Sequence, residues 1–355
     1  MSKNQQMLRK HREQPAAPRP PATSPADELV AGNPMDLAGW REGMVVRKSQ
    51  GQYTVLAGER SIQCAISNRL RKQLVYPIAD PGSLRAHVVA VEDIRTVDPI
   101  AVGDGVQFID GGDGSGMIVA VLPRRSKVVR RAAGPKPLEQ VIVTNVDQVV
   151  VICAADRPAP SWELVDRYLA AAESTDVPAR ICITKIDLIE TGALDEEVAN
   201  YRAIGYPVDL TSASSGAGVA AFAEVLRQRV SVLAGKSGAG KTSILNAVQP
   251  GLGLRVGAVS ATTGKGKHTT SYLELFPLDG GGGVIDTPGM REFGLWDVRE
   301  DDIASLFREF RPFVGKCRFG ASCRHHEEPG CAITAAVGAG QITLRRYRSY
   351  LRMAS

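Results

Sequence analysis

From Trp40 to about residue 121 the chain alternates apolar and polar positions in short runs. Met44 to Val46, Tyr53 to Leu56, Ile62 to Ile66, His87 to Val91, Val106 to Ile109 and Met117 to Val121 are rich in β-branched or aromatic residues, and Gly and Asp turns separate them. Five or six short strands within about 80 residues predict a small all-β unit. An OB-type barrel is the first reading and a generic β-sandwich the alternative.

Beyond a basic stretch, Arg124 to Arg131, and a linker from Gly134 to Pro137, the pattern becomes strand then helix. Val149 to Cys153 and Arg180 to Thr184 are short strands of the buried type. Between them Trp162, Val165, Leu169 and Ala172 recur at helical spacing, with Ser161 placed to cap the helix. Further strands are expected at Tyr206 to Leu210, Val230 to Ala234, Tyr272 to Leu275 and Gly283 to Asp286. Strands alternating with helices predict an α/β sheet covered on both faces. Ile303, Leu306, Phe307 and Phe310 then predict an amphipathic helix, and the chain ends in a basic helix around Arg345, Arg346, Arg348 and Arg352.

Composition places these elements in a soluble globular protein, with 44% hydrophobic and 23% charged residues in a chain of 355. The longest apolar run, Val149 to Ala155, is far short of the ~20 residues of a membrane helix, and the first residues carry no apolar targeting core. A cytoplasmic protein without a membrane partner is expected. The first 40 residues hold six of the 21 prolines and no apolar period, which predicts a disordered extension over residues 1–39.

The net charge is only +5, but it is unevenly spread. Residues 41–136 carry 15 basic and 9 acidic side chains, residues 137–300 carry 14 and 20, and residues 301–355 carry 9 and 5. Two basic ends flank an acidic middle, which points to a polyanion at the ends; ordinary surface scatter is the alternative.

The strongest chemical signal is Gly235-Lys236-Ser237-Gly238-Ala239-Gly240-Lys241-Thr242, after an apolar strand and before a helix-compatible run, Ser243 to Val248. In such a loop backbone N–H groups turn toward phosphates, Lys241 reaches the β and γ oxygens, and the Thr242 hydroxyl meets Mg²⁺. Asp286-Thr-Pro-Gly289 lies at the end of a predicted strand, where the carboxylate can hold Mg²⁺ through water and the Gly289 N–H can sense a γ-phosphate. Thr184-Lys185-Ile186-Asp187 offers a carboxylate, Asp187, for the two adjacent N–H donors of guanine, with the Lys185 stem along the base. Guanine-binding proteins usually carry Asn where Thr184 stands. Thr211-Ser212-Ala213, at the next strand end, matches the loop whose backbone meets the guanine oxygen.

The order of these motifs is unusual. Base-recognition segments at 184–187 and 211–213 precede the phosphate loop, whereas they normally follow it. A sheet whose ends lie close together can be cut and rejoined with its site intact, so the order implies circular permutation. After the Asp286 switch comes Cys317-x5-Cys323-x-His325-x5-Cys331. Three thiolates and an imidazole make a closed tetrahedral Zn²⁺ site, with His325 preferred to His326 on spacing. Cys64, Cys153 and Cys182 sit singly in apolar strands as core residues.

With these residues in view the chain resembles the RsgA (YjeQ) family of circularly permuted, ribosome-associated GTPases. The likeness spans roughly residues 40–335 and includes Gly51-x-Tyr53-x-Val55, Pro123-Arg-Arg-Ser126, Asn145-x-Asp147, the permuted motifs and the cysteine cluster. It implies an OB barrel, GTP hydrolysis, and a role late in small ribosomal subunit maturation, with the subunit stimulating hydrolysis and hydrolysis releasing the factor. It also implies that Gly264-Lys-Gly-Lys-His268-Thr269-Thr270 is the first switch, with Thr270 favoured over Thr269 as the Mg²⁺ residue. Met290 stands where other GTPases carry the water-orienting Gln, which leaves His268 as the catalytic candidate.

The resulting expectation is a multi-domain α/β protein. Residues 40–133 form an OB-fold RNA-binding domain, 134–298 a circularly permuted P-loop GTPase domain and 299–355 a helical zinc-binding domain. GTP is the substrate, with Mg²⁺ and one structural Zn²⁺ per chain. The partners are the small ribosomal subunit and its rRNA, and the protein is a monomer. Nucleotide contacts are assigned to Thr184, Lys185, Asp187, Ser212, Ala213, Gly235 to Ser243 and Gly289; Mg²⁺ to Thr242, Thr270 and Asp286; Zn²⁺ to Cys317, Cys323, His325 and Cys331. The alternative functions are an RNA-binding assembly chaperone with GTP as a structural ligand, and a small-molecule P-loop kinase or ATPase.

Overall fold

The structure is a computed structural model that describes residues 40–49, 51–67, 70, 100–131, 139–252, 254, 273–286, 298–326 and 328–354. The N-terminal extension and the strand expected at His87 to Val91 lie outside them. Among the described residues no helix is long and apolar enough to cross a membrane.

Five strands, β1 (Arg41–Ser49), β2 (Gln52–Ala57), β3 (Arg60–Ile66), β4 (Gly105–Asp110) and β5 (Ser115–Val121), pair in the order β1-β2-β3-β5-β4. β4 pairs back with β1, so the sheet closes into a barrel. The alternation seen in the sequence points Val45, Tyr53, Val55, Ile62, Cys64, Val106, Phe108 and Ile118 inward as its core. Closure leaves no open sheet edge and selects the barrel over the sandwich.

The chain leaves the barrel through a hairpin of β6 (Lys127–Arg131) and β7 (Glu139–Thr144). Lys127 to Arg131 of the basic stretch is therefore paired strand, and the linker expected at Gly134 to Pro137 lies outside the described residues. The base of the hairpin is held by the fully buried Asp104, whose carboxylate accepts bonds from Arg124 at 2.7 and 2.8 Å and from the Thr144 hydroxyl at 2.8 Å. Asn145 adds a bond from its amide to the Gly103 carbonyl, and Asp147 accepts the Val230 N–H. The Pro123-to-Ser126 and Asn145-x-Asp147 motifs thus join barrel to sheet by satisfied polar contacts.

The α/β layer follows as β8 (Gln148–Ala154), α1 (Trp162–Glu173), β9 (Ala179–Thr184), α2 (Asp195–Ala203), β10 (Val208–Leu210), α3 (Val219–Leu226), β11 (Arg229–Ala234), α4 (Lys241–Val248), β12 (Glu274–Pro277) and β13 (Gly282–Asp286). Strand order is β10-β9-β8-β11-β13-β12, parallel except for the last pair. β8 is buried at every position, as a central strand covered on both faces must be. α1 and α2 cover one face through Val165, Leu169, Val198 and Tyr201, and α3 and α4 cover the other through Phe222, Leu226, Ile244 and Leu245. Ser161 sits at the α1 N-cap, but its side chain makes no capping bond. A single β1 to β12 pairing, Arg47 with Glu274, makes barrel and layer one continuous sheet.

The C-terminal module departs from expectation in two ways. Ile303, Leu306, Phe307 and Phe310 are buried as their spacing requires, but they lie on a 3-10 helix, Glu300–Leu306, and the turns after it. They surround the cysteine cluster with Ile333, Ala336, Tyr347 and Tyr350 rather than forming one α-helical stripe. After α5 (Ala332–Gly338), the basic helix α6 (Leu344–Met353) turns most of its arginines toward the α/β layer. Arg346 is buried between Asp166 and Glu309, Arg345 bridges Asp166 and Glu197, and Arg352 pairs with Glu163. Arg345 and Arg346 are thus matched by carboxylates of the protein itself, whereas Arg348 and the Arg352–Glu163 pair are exposed.

Candidate functional site

All the parallel strands end on the same side of the sheet, and the loops after β8, β9, β10 and β11 meet there. The crevice beyond carboxyl ends of parallel strands, where crossovers diverge, is the usual ligand position in such sheets. The strand order places β11 between β8 and β13, so segments far apart in the chain become neighbours.

The loop from Gly235 leaves β11 and enters α4 at Lys241. Gly235 runs so close to β8 that a Cβ would lie 2.3 Å from the Ile152 carbonyl oxygen, which restricts this position to glycine. Gly240, at the α4 N-cap, has φ +86°, the left-handed conformation that turns the loop into the helix. The Lys241 ammonium donates to the carbonyls of Gly235 at 2.8 Å and Lys236 at 3.2 Å. Lys236 and Ser237 are exposed, while Thr242 and Ser243 are half-buried in the first turn of α4.

The base-recognition segment is tied directly to this loop. Thr184, buried at the end of β9, donates from its hydroxyl to the Ala239 carbonyl at 2.5 Å. Lys185, in the left-handed region at φ 60°, sends its ammonium to the Gly238 carbonyl at 2.8 Å and to the Arg157 carbonyl. Asp187, exposed, accepts the hydroxyls of Ser212 and Ser214, which hold its carboxyl below the usual carboxylate range. Ser212 is buried, and Ala213 is half-buried beside it. Thr184, Lys185, Asp187, Ser212 and Ala213 thus converge with residues 235–243 at one end of the sheet.

Asp286 is the last residue of β13 and pairs in register with Leu233 of β11, which places its backbone beside the start of the loop. His268, Thr269, Thr270, Gly289 and Met290 lie outside the described residues. Ser214 and the carbonyl of Arg157 were not among the expected contacts. The Ser-Ala-Ser spacing at 212–214 was visible in the sequence, whereas the Arg157 contact depends only on the folded path of the backbone.

The second cluster is Cys317, Cys323, His325 and Cys331, all buried, with one ligand atom of each within 4.8 Å of the others. The Sγ atoms of Cys317 and Cys331 are 3.8 Å apart, and His325 Nδ1 lies 3.4 and 3.5 Å from them. A tetrahedron with Zn–S near ~2.3 Å and Zn–N near ~2.0 Å has edges of about 3.8 and 3.5 Å, so these donors fit Zn²⁺. Burial holds the His325 imidazole toward its neutral, ligating form. The Tyr347 hydroxyl donates to the carbonyls of His325 and His326, and Tyr350 donates to that of Arg324, which pins the ligand loop to α6. His326 is exposed. Burial pushes the Cys64 thiol up to about 11 and those of Cys153 and Cys182 up to about 12, as expected of unreactive core cysteines.

Residues 121–296 match the family model described as RsgA GTPase. The chain is 44% identical over 256 residues to the small ribosomal subunit biogenesis GTPase RsgA of Gemmatimonas aurantiaca, covering 72% of this chain and 83% of that protein. The namesake from Bacteroides fragilis is 34% identical, with 88% and 96% covered. Among solved structures, YjeQ from Thermotoga maritima superposes with a TM-score of 0.66 at 30% identity over 89% of this chain and 97% of that one. YloQ, described as a circularly permuted GTPase, gives 0.63 at 28% identity over 91% and 96%.

Proposed function

Because the chain belongs to the RsgA GTPase family, we propose that it hydrolyses GTP in the maturation of the small ribosomal subunit, with release from the subunit coupled to hydrolysis. The single observation that carries this reading is the pair of bonds from Thr184 and Lys185 to Ala239 and Gly238. They set a guanine-type carboxylate and a phosphate-type loop at one crevice although the chain order is reversed.

In this reading the backbone of Gly235 to Ser243 cradles the phosphates and Lys241 moves from loop carbonyls to phosphate oxygens. Asp187 selects guanine, and Ser212 and Ala213 present backbone to its oxygen. The chain's Mg²⁺ residues are Thr242, Thr270 and Asp286, and the metal supplies charge neutralisation at the phosphates. Gly289 senses the γ-phosphate, and His268 orients the attacking water. Cys317, Cys323, His325 and Cys331 would hold Zn²⁺, which would stabilise the C-terminal module and take no part in chemistry.

The domain division at 40–133, 134–298 and 299–355 assigns rRNA contact to the barrel and the zinc module. On the latter, Lys316, Arg318, Arg324 and Arg348 are exposed, as is the Phe319 ring, side-chain types suited to phosphates and an unstacked base. The protein acts as a cytoplasmic monomer. Equilibrium binding of GTP and ATP to the full chain and to Lys241→Ala tests the site. Preference for GTP, lost with most triphosphate affinity in the variant, supports the reading; preference for ATP or wild-type affinity in Lys241→Ala overturns it.

A further inference from the structure

Asp187 is held by two serines, and Ser214 lies beyond the contacts that the guanine-site reading assigns. The Ser212 hydroxyl donates to Oδ1 at 2.5 Å and the Ser214 hydroxyl to Oδ2 at 2.8 Å, with the two hydroxyl oxygens 3.0 Å apart. Ser212 is itself fixed: its N–H donates to the Ala217 carbonyl at 2.9 Å, and its hydroxyl oxygen accepts the Ser215 N–H at 3.1 Å. The opposite wall is equally determined, since the Ile186 N–H donates to the Thr211 carbonyl at 3.3 Å.

A carboxylate oxygen has two lone-pair directions. One serine on each oxygen leaves accepting capacity on the carboxylate, and the two bonds fix the plane in which it lies. This matters because Thr184 has no part left to play at the base: its hydroxyl is committed to Ala239 and its side chain is buried. Asp187 is exposed on a short 3-10 turn, Ile186–Leu188, where an unheld side chain would sample several rotamers.

We propose that Ser214 is a specificity-determining positioning residue, whose hydroxyl aligns the Asp187 carboxylate to accept both N–H donors of a 2-amino-6-oxopurine. The inference rests on the guanine-site reading of Asp187. A ring that offers both donors benefits from a fixed plane, whereas hypoxanthine offers only N1–H and tolerates rotation of the carboxylate. Ser214 therefore acts on discrimination rather than on phosphate binding.

The test is equilibrium binding of GTP, ITP and XTP, each with Mg²⁺, to the full chain and to Ser214→Ala, Ser214→Thr and Asp187→Asn. Ser214→Ala should lower GTP affinity about three- to tenfold and leave ITP within about twofold, so that the GTP to ITP ratio falls. Ser214→Thr, which keeps the hydroxyl, should restore the ratio. A wild-type ratio in Ser214→Ala, or an equal loss for both nucleotides, overturns the assignment. Asp187→Asn separates the two levels: a shift from GTP toward XTP upholds the base reading whatever Ser214 does, and an unchanged preference removes that reading and this inference together.

Discussion

The Thr184 hydroxyl donates to the Ala239 carbonyl at 2.5 Å, joining the end of β9 to a loop 55 residues further along the chain. Both residues are buried, at 2% and 1% exposure, so neither can exchange this partner for water. The departure from Asn at position 184 therefore has a structural meaning. The hydroxyl braces the phosphate-type loop, and in the proposed site base selection falls to Asp187.

Thr184→Val keeps the shape of the side chain and removes the donor. The Ala239 carbonyl is then buried without it, at a cost of about 1–3 kcal/mol. We expect a lower unfolding midpoint and about tenfold weaker binding of GTP and GDP alike, with Thr184→Ser close to wild type, measured by denaturant titration and nucleotide binding.

At the cysteine cluster, Cys317→Ser, Cys323→Ser, His325→Ala or Cys331→Ser should each release about one zinc per chain and increase amide exchange through residues 300–353, because metal affinity is folding free energy in such modules. His326→Ala should retain the metal, since His326 is exposed and stands outside the four-residue cluster. Elemental analysis of the purified variants decides between the adjacent histidines.

The acidic partner of the C-terminal helix makes a third prediction. Asp166 is fully buried and accepts the Tyr201 hydroxyl at 2.6 Å, Arg346 at 2.7 Å and Arg345 at 2.8 Å. Asp166→Ala leaves a buried guanidinium without that counter-charge and should cost about 3–5 kcal/mol. Glu163→Ala removes only an exposed pair with Arg352 and should stay within about 1 kcal/mol. Chemical denaturation of both variants, with limited proteolysis to see whether α6 detaches first, measures the difference.

Much of this fold was legible because periodicity reports burial. The barrel strands announced themselves by alternation, β8 and β9 by short runs of the buried-strand type, and the permutation by the order of four motifs. What escaped were elements whose identity depends on their partners. Lys127 to Arg131 read as a basic stretch because its pairing strand lay beyond a linker. The arginines of α6 were legible only as a basic helix, because their partners Asp166, Glu197 and Glu309 are more than a hundred residues away or in a different element. Ile303 to Phe310 kept their burial but not their α-helical form, because they wrap a cysteine cluster rather than a flat sheet face. At the candidate site the motifs at 184–187, 211–213 and 235–243, which the structure brings together, could be picked out locally, whereas the Ser214 and Arg157 contacts required the folded loops.

A fourth prediction concerns His268, which the proposed mechanism uses to orient water. His268→Ala should keep GTP and subunit binding within a few-fold of wild type while lowering subunit-stimulated turnover by about 10- to 100-fold. Single-turnover hydrolysis beside a subunit co-sedimentation assay separates the two quantities, and a variant that binds and hydrolyses normally removes His268 from the mechanism.

The central claim is that a permuted sheet rebuilds a guanine-nucleotide site whose hydrolysis answers to the small ribosomal subunit. Its most direct test is the rate of GTP hydrolysis by the full chain with purified small subunits, with large subunits and with neither. The account predicts slow turnover alone and with large subunits, and stimulation by small subunits that disappears in Lys241→Ala. Equal rates in all three conditions, or stimulation by the large subunit alone, would contradict it.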